Sequence, residues 1–475
     1  MLNQHTFDPL FRPRSIAVVG ASSSAVSGGN RFIANLKSFG FNGDIWPVHP
    51  CAKQIDGMKA YGSLSQLPGV ADYAYIAVNS ALVPSIIMQG IGKVRIAQVM
   101  SSGFGETSAG ADLERALVLA AQQSGIRVIG PNCLGTYSPG GRLTFTANAA
   151  SEAGHVGVIC QSGGLGVDII RRGKTRGVLF SAVVTVGNCA DVKPWELLDY
   201  FLDDPDTHVI GLYLESALEG RKLFEVLRKG GCRKPIVLLK GGSTEQGQIA
   251  AISHTGALAG NGAAWQALER QTGLASVETV DQFVNMLMMF QCLSPRSPET
   301  DSVILFGNGG GTSVLGADAF ARHGFGLTKL NSEITSSLID LRLPAGSSIH
   351  NPVDVPAGAL QAEDGRIAEK ILAALNTDPR SAVVIHINMT VVTTFKHIDL
   401  LGNLMQAVLR MKETAVNPGH VMLVLRSDGD PDVEQRKQQY WTSAVKLGLP
   451  VFHELVDAAH ALAGMRSIEH FRLKF

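Results

Sequence analysis

The residue of this 475-residue chain best suited to covalent chemistry is His254. It stands among small residues in the segment 253–260, after a stretch rich in Gly and Gln. A neutral imidazole nitrogen can attack phosphorus when an acceptor holds the proton on the other ring nitrogen. The segment predicts a flexible loop, in which His254 is either a phosphoryl carrier or an ordinary solvated side chain.

A carboxylate that could hold the imidazole proton is Glu215. It follows the apolar run 209–214 and therefore stands at the carboxyl end of a predicted strand. An acid at that position would fix the tautomer of His254 and stabilise its positive charge after attack. Because Ser216 and Glu219 are close in sequence, Glu215 could alternatively be a helix-capping or surface acid.

Two glycine turns have the composition of anion sites. Each follows an apolar run and precedes a helical one, so that backbone N–H groups and the helix dipole face the turn. The first turn contains Gly20, Ala21 and Ser22, and the second contains Ser162, Gly163 and Gly164. An ordinary strand-to-helix turn is the alternative at both places, because the G-x-G-x-x-G pattern is absent.

Further residues that line a ligand site are expected where the other strands of the first sheet end. In an open parallel sheet, ligands bind outside the carboxyl ends of the strands. This rule adds three short segments, 49–50, 78–79 and 101–103, which include Pro50, Val78 and Ser102.

The elements that position these residues alternate between β-rich apolar runs and helical segments. Such alternation predicts βαβ units on parallel sheets. Three series are visible, at 1–135, 150–292 and 299–475, and a polar, proline-bearing stretch at 293–298 separates the last two. The sequence therefore predicts an α/β fold of three tandem doubly wound modules, the first of them Rossmann-like.

Composition excludes several classes of protein. The chain has 41 basic and 41 acidic side chains and a pI near 7.2, which argues against a nucleic-acid partner. Six cysteines without a C-x-x-C pair argue against a disulfide scaffold and against a zinc site. No apolar run is long enough to span a membrane, and the first residues lack a signal-peptide pattern. We therefore expect a cytoplasmic protein with no metal site of its own.

Five segments together resemble the α-subunit side of the NDP-forming acyl-CoA synthetases, which are relatives of succinyl-CoA synthetase. The likeness is greatest to the ADP-forming acetyl-CoA synthetase group, and the segment around His254 is its most specific part. The five segments occur in the order of the family, at 17–22, 130–135, 161–166, 186–191 and 253–260. Segments 307–311 and 351–354 extend the resemblance through the third module.

The resemblance implies a Rossmann-like coenzyme-A-binding domain followed by two flavodoxin-like domains, the first of which holds the phosphohistidine. It implies a catalytic pair, His254 and Glu215, and a phosphate site at Ser162, Gly163 and Gly164. The expected coenzyme A contacts are Gly20, Ala21, Ser22, Pro50, Val78 and Ser102, with the thiol directed toward Asn132 and Cys133. Three positions depart from the family pattern: His49 replaces a usual Asn, Asn79 a frequent Pro and Gly164 a common Ala.

The activity implied by the resemblance is the reversible conversion of acyl-CoA, phosphate and ADP into a carboxylic acid, CoA and ATP. The nucleotide step of the family needs an ATP-grasp module, and the chain has no G-x-x-x-x-G-K-[ST] phosphate loop. We therefore expect a hetero-oligomer in which a separate ATP-grasp β-type subunit brings ADP or ATP with Mg²⁺. The sequence does not identify the small carboxylic acid or its acyl-CoA.

Two other functions are compatible with the sequence. A sensor or scaffold that binds coenzyme A or a nucleotide would keep the fold without turnover, although it would have no use for His254 and Glu215. An NAD-dependent dehydrogenase would need an acid to bind the ribose after the first glycine turn. Asp44 is the nearest acid available.

Overall fold

The computed structural model describes residues 6–107, 109–216, 218–230, 233–255, 262–360, 362–375, 378–394, 399–414 and 419–474. They form two compact units, 1–283 and 284–475. Within this described part, no helix is both long enough and apolar enough to cross a membrane.

The first sheet of unit 1–283 is parallel, with strand order β2-β1-β5-β6-β7. Its elements are α1 (Asp8–Phe11), β1 (Ser15–Val19), α2 (Gly28–Ser38), β2 (Asp44–Val48), the hairpin β3 (Gln54–Ile55) and β4 (Met58–Lys59), β5 (Ala71–Ile76), α3 (Val83–Gln89), β6 (Val94–Val99), α4 (Ala111–Ser124) and β7 (Arg127–Ile129). Alternate residues of β1 enter two separate cores, Ile16 with Phe32 of α2 and Ala17 with Leu117 of α4. Helices therefore cover both faces of the sheet.

The second sheet of the same unit has the order β13-β12-β11-β9-β10-β8, and only β8 is antiparallel to its neighbour. Its elements are β8 (Thr136–Tyr137), β9 (Val156–Cys160), α5 (Gly163–Arg176), β10 (Phe180–Thr185), α6 (Pro194–Asp203), β11 (Val209–Leu214), α7 (Gly220–Gly230), β12 (Ile236–Lys240), α8 (Glu245–Thr255), α9 (Gly262–Thr272) and β13 (Ala275–Val277). Every residue of β9 is buried, as expected for a strand covered on both faces.

The third sheet lies in unit 284–475 and has the order β15-β14-β17-β18-β19, with β16 paired beside β14. After α10 (Val280–Cys292), the elements are β14 (Ser302–Gly307), α11 (Gly310–Arg322), β15 (Gly326–Leu327), α12 (Ser332–Asp340), β16 (Val353–Asp354), α13 (Ala357–Leu360), α14 (Arg366–Leu375), β17 (Ser381–Asn388), α15 (Met389–Val392), α16 (Leu400–Thr414), β18 (Val421–Arg426), α17 (Pro431–Lys446), β19 (Val451–Phe452) and α18 (Leu455–Lys474).

The predicted α/β class with parallel sheets is confirmed. The predicted strand 209–214 coincides with β11. With the short strands β8 and β16 left out of the count, the first strand of each of these sheets lies between the second and the third: β9 lies between β10 and β11, and β14 lies between β15 and β17. This order is the flavodoxin-like one, whose ligand site lies where the first and third strands meet.

Candidate active site

The residues expected to contact coenzyme A line one edge of the first sheet, because each follows the carboxyl end of a parallel strand. A Cβ at Gly20, whose φ is +103°, would collide with the carbonyl group of Ala77 and stand 3.2 Å from Cγ1 of Val78. The hydroxyl of Ser101 donates to the Val78 carbonyl at 2.5 Å, and the N–H of Asn132 donates to the Ser101 carbonyl at 2.9 Å. These contacts thus join the carboxyl ends of β1, β5, β6 and β7 in series.

Local hydrogen bonds explain the two departures from the family pattern on this edge. Nδ1 of His49 accepts the N–H groups of Cys51 and Ala52, at 3.1 and 2.9 Å, so the imidazole holds the turn around Pro50 as an amide oxygen would. Asn79 accepts the N–H of Ala81 at 3.0 Å and caps the short 3₁₀ helix Ser80–Leu82. Both substitutions therefore preserve a turn.

The other expected contacts on this edge differ in exposure. Pro50 and Ser102 are exposed, whereas Ala21 is buried, and the N–H of Ser22 donates to Oδ1 of Asn30 at 2.8 Å.

Cys133 is buried, with 2% of its surface exposed, and its thiol donates to the carbonyl of Val99 at 3.3 Å. Burial raises the pKa of this thiol to about 12. Any contact of Cys133 with a ligand must therefore come from its main chain.

The loop after β7 brings the first sheet to the second. A Cβ at Gly163 would stand 2.8 Å from Cγ of Leu134. The hydroxyl of Thr185 donates to the carbonyl of Gly135 and accepts its N–H, each at 2.9 Å. Asn132 and the start of α5, which the sequence treats as two separate sites, therefore belong to neighbouring segments of the structure.

The turn between β9 and α5 is a helix N-terminus with little side-chain cover. Ser162 is the N-cap, and its side chain accepts the N–H of Leu165 at 3.3 Å. Gly163 and Gly164 occupy the first turn, where N–H groups have no acceptor within the helix. A Cβ at Gly164 would have no neighbour within 4 Å. The turn therefore offers backbone donors and a positive helix end to an anion.

Glu215 lies across the switch point from this turn, because β11 is the neighbour of β9. Gln161 joins the two segments, and the sequence analysis missed it. Its Oε1 accepts the N–H of Glu215 at 2.5 Å and the N–H of Ser216 at 3.1 Å. A polar residue directly after a buried strand is the sequence signal that could have found it.

The Glu215 side chain is 8% exposed and makes specific contacts. The hydroxyl of Tyr213 donates to Oε1 of Glu215 at 3.0 Å, and Nζ of Lys240 donates to the Glu215 carbonyl at 2.9 Å. The expected phosphate turn and the expected acid thus lie at one switch point.

The prediction of a flexible loop at His254 is wrong for its backbone, which lies in the last turn of α8. Thr244 starts this helix: its hydroxyl accepts the N–H of Gly247 at 3.1 Å, and its carbonyl accepts the N–H of Gln248 at 2.8 Å. Glu245 favours the first turn through the helix dipole. The side chain of His254 and the segment 256–261 lie outside the described residues.

The sequence assigns no catalytic or binding role to the motif at 186–191, and in the structure this motif has a structural role. Nδ2 of Asn188 donates to Oε2 of Glu106 at 2.6 Å and to Oε2 of Glu114 at 2.8 Å. Oδ2 of Asp191 accepts the N–H of Val128 at 2.7 Å. The motif therefore fixes the end of β10 against the first sheet.

Two further observations limit the chemistry of these edges. Asp44 is the first residue of β2 and lies at the opposite sheet edge from Gly20, so it is badly placed to bind a ribose at the glycine turn. Among the described residues, no group of three or more His, Cys, Asp or Glu side chains is placed to hold a metal ion.

Two family models match parts of the chain. A family model for a CoA binding domain matches residues 14–139, and one for a succinyl-CoA ligase like flavodoxin domain matches residues 153–290. The chain is 33% identical over 456 residues to the alpha subunit of ADP-forming acetate–CoA ligase II of Pyrococcus furiosus, and the match covers 96% of each protein.

Two further relatives extend the comparison. The chain is 32% identical to the ADP-forming acetate–CoA ligase I of Archaeoglobus fulgidus, over 96% of its own length but only 62% of the relative. A solved structure of Candidatus Korarchaeum cryptofilum is described as a dinucleotide-forming acetyl-coenzyme A synthetase in complex with phosphate and ADP. It superimposes with a TM-score of 0.85 at 29% identity, over 98% of each chain.

Proposed function

The chain belongs to the NDP-forming acyl-CoA synthetase family, and from this premise we propose that it is an alpha-type subunit of an ADP-forming acyl-CoA synthetase. This enzyme converts acyl-CoA, phosphate and ADP reversibly into a small carboxylic acid, CoA and ATP. The observation that carries the proposal is the meeting of the 162–164 turn with Glu215 at the switch point, where Gln161 is hydrogen-bonded to the main chain of the acid.

The acyl-CoA substrate lies along the carboxyl edge of the first sheet in this proposal. Gly20 supports this placement, because only a hydrogen fits between its Cα and the Ala77 carbonyl, so that the turn lies close to Val78. The coenzyme is held by Gly20, Ala21, Ser22, Pro50, Val78 and Ser102, and its thiol end lies near the main chain of Asn132 and Cys133. The contact of Leu134 with Gly163 then brings the thioester close to the phosphate turn.

Two displacements account for the chemistry on this chain. An oxygen of phosphate, held by the N–H groups after Ser162, attacks the thioester carbonyl; the carbon–sulfur bond breaks and CoA thiolate leaves. A ring nitrogen of His254 then attacks phosphorus, the bond to the acyl oxygen breaks, and the carboxylate leaves. The positive helix end stabilises the charge on the phosphoryl oxygens in both transition states.

Glu215 serves the second displacement. A carboxylate that accepts the N–H on the far side of the imidazole keeps the attacking nitrogen unprotonated, and it stabilises the imidazolium that forms. Its place at the switch point, with its main chain held by Gln161 and Lys240, supports this role.

The nucleotide half of the reaction takes place on a partner subunit in this proposal. An ATP-grasp β-type subunit receives the phosphoryl group from His254 and transfers it to ADP, with Mg²⁺ bound beside the nucleotide. The P. furiosus relative is named as an alpha subunit, and the longer A. fulgidus relative is named as a whole ligase. Both names support a partner for this chain.

We extend the proposal to the organisation of the chain as three modules. The first, a coenzyme-A-binding module, spans 1–135, the flavodoxin-like module that carries His254 spans 150–292, and a second flavodoxin-like module spans 299–475. The three parallel sheets and the strand orders of the second and third support this division.

The half-reaction on this chain can be tested without the partner. The purified chain is incubated with acetyl-CoA and ³²P-labelled phosphate, and both protein-bound label and free thiol are measured. We expect acid-labile, base-stable label together with an equal amount of released CoA, and no label in His254→Gln. Wild-type protein that binds CoA but takes up no label would contradict the proposal and favour a sensor.

A further inference from the structure

The Tyr213 hydroxyl contacts the Glu215 carboxylate directly. The two residues are separated by one position at the end of β11, so their side chains leave the strand on the same side. The Tyr213 hydroxyl donates to Oε1 of Glu215 at 3.0 Å. We infer that Tyr213 is a positioning residue for phosphoryl transfer, whose hydroxyl aims the Glu215 carboxylate. This role rests on the proposed function of Glu215.

The packing around the pair brings the Tyr213 hydroxyl against the Glu215 carboxylate. The main chain of Glu215 is already fixed, because Gln161 accepts its N–H and Lys240 donates to its carbonyl. A Cβ at Gly241 would stand 2.7 Å from the Tyr213 hydroxyl and 3.2 Å from Cγ of Glu215. The bare backbone of Gly241 therefore makes the space in which this hydrogen bond forms.

The electrostatics of the neighbourhood keep the hydroxyl a permanent donor. Burial, reinforced by the charge of Glu215, raises the pKa of Tyr213 well above its usual value. Among the described residues, Lys240 on β12 and Cys160 on β9 also face the pair; burial lowers the pKa of Lys240 and raises the pKa of Cys160 to about 12. A hydrogen bond donated to a carboxylate favours its ionised form, which is the form that accepts a proton from imidazole.

The test is the pH dependence of acyl-CoA-dependent labelling in Tyr213→Phe, which removes one hydroxyl and keeps the ring. We expect the acidic limb of the rate profile to move to higher pH by about one unit, which corresponds to roughly a tenfold lower rate on that limb. The KM for acetyl-CoA should be unchanged, because the coenzyme lies on the first sheet.

Tyr440→Phe is the matched control. Its hydroxyl also donates to a carboxylate, Oδ1 of Asp399 at 2.8 Å, but in unit 284–475. The Tyr440→Phe variant should leave the pH dependence of the labelling rate as it is in the wild type. Gly241→Ala tests the same hydrogen bond independently, because the new Cβ displaces the hydroxyl; it should shift the limb in the same direction. An unshifted limb in Tyr213→Phe would overturn the inference.

A second readout separates this inference from the proposed function. The Glu215 carboxylate is followed by infrared difference spectroscopy, with Glu215→Gln identifying its band. In Tyr213→Phe the frequency of this band should shift, because one carboxylate oxygen loses its hydrogen-bond donor, and an unshifted band overturns the inference whatever the activity. If the wild-type chain takes up no label at all, the proposed function fails, and the infrared result still decides whether Tyr213 controls the acid.

Discussion

The switch points of the second and third sheets are built alike and differ in what meets the glycine turn. In both, a side-chain oxygen directly after the first strand accepts an N–H at the end of the third strand: Gln161 from Glu215, and Asn308 from Asn388 at 2.8 Å. In the third sheet, however, the N–H of Gly309 donates to Oδ1 of Asp354 at 2.7 Å. The third turn therefore has a carboxylate bound at its N-cap residue, Gly309, where the second turn has Ser162 as its N-cap.

The third strands differ at equivalent positions as well. Tyr213 pairs with the last residue of β9, and His386 pairs with the last residue of β14. The Tyr213 hydroxyl reaches the carboxylate of Glu215, whereas Nε2 of His386 lies 3.0 Å from the hydroxyl of Ser313 in a fully buried site. The same strand order thus places an acid beside a glycine-rich helix N-terminus in the second sheet and a buried His386–Ser313 pair in the third.

The largest effect that should separate the two regions comes from changing the residue at the end of the third strand. Glu215→Gln keeps the shape of the side chain and removes its charge, so we expect the labelling rate to fall about 10²–10³-fold. Asn388→Asp, the matched change in the third sheet, should stay near the wild-type rate. If Glu215→Gln and Asn388→Asp lower the rate of single-turnover labelling equally, the two sheets do not differ in their part in the reaction.

The second prediction concerns the stability of the third sheet at acid pH. Burial, with a contribution from Arg426, lowers the pKa of His386 to about 4. The unfolded chain takes up a proton on this residue near pH 6.5 and the folded chain does not, so stability is lost as the pH falls from about 6.5 to 4.

The expected loss is on the order of 2–3 kcal/mol. It should appear as faster hydrogen exchange at the amides of β14, and His386→Asn should abolish the pH-dependent part. Persistence of that part in the variant would mean that another group is responsible.

The third prediction compares one glycine from each helix start. The Cβ of Gly163→Ala would meet Leu134, and the displacement should destabilise unit 1–283 by about 1–3 kcal/mol. It should also raise the KM for phosphate, because it moves the helix N-terminus. Gly311→Ala, where a Cβ has no neighbour within 4 Å, should do neither. Urea unfolding and phosphate titration measure the two effects, and identical behaviour of the two variants would contradict the comparison.

The smallest effect is expected at Asp354. Asp354→Ala removes the acceptor of the Gly309 N–H, which should cost about 1–2 kcal/mol of local stability at the start of α11. Hydrogen exchange measures that change, and acyl-CoA-dependent labelling should persist. Loss of labelling at unchanged stability would show instead that both turns act on the phosphoryl group.

The sequence predicts the strands and the glycine turns because both depend on local signals. The apolar runs that became β11 and β18 end at polar residues, and the rule that ligands lie at carboxyl strand ends places Glu215 without knowledge of its partners. The adjacency of β9 and β11, about fifty residues apart along the chain, is set by packing of whole elements. The contacts of Gln161 with the main chain of Glu215 and Ser216 depend on this adjacency and could not be read from the sequence.

The error at His254 has a different origin. The small residues around it suggested a loop, but Thr244 and Glu245 carry the capping and dipole signals that start a helix, and alanine continues it well. The alternation of Tyr213 and Glu215 at a strand end is likewise a local signal, and it would have placed a hydroxyl beside the acid.

Identifying the residue that carries the phosphoryl group tests the central claim most directly. Wild-type chain treated with acetyl-CoA and phosphate is digested under alkaline conditions and analysed by tandem mass spectrometry. The account predicts a single phosphohistidine at His254 that depends on acyl-CoA. A phosphoryl group on another residue, such as His386 of the third sheet, or none at all, would contradict it.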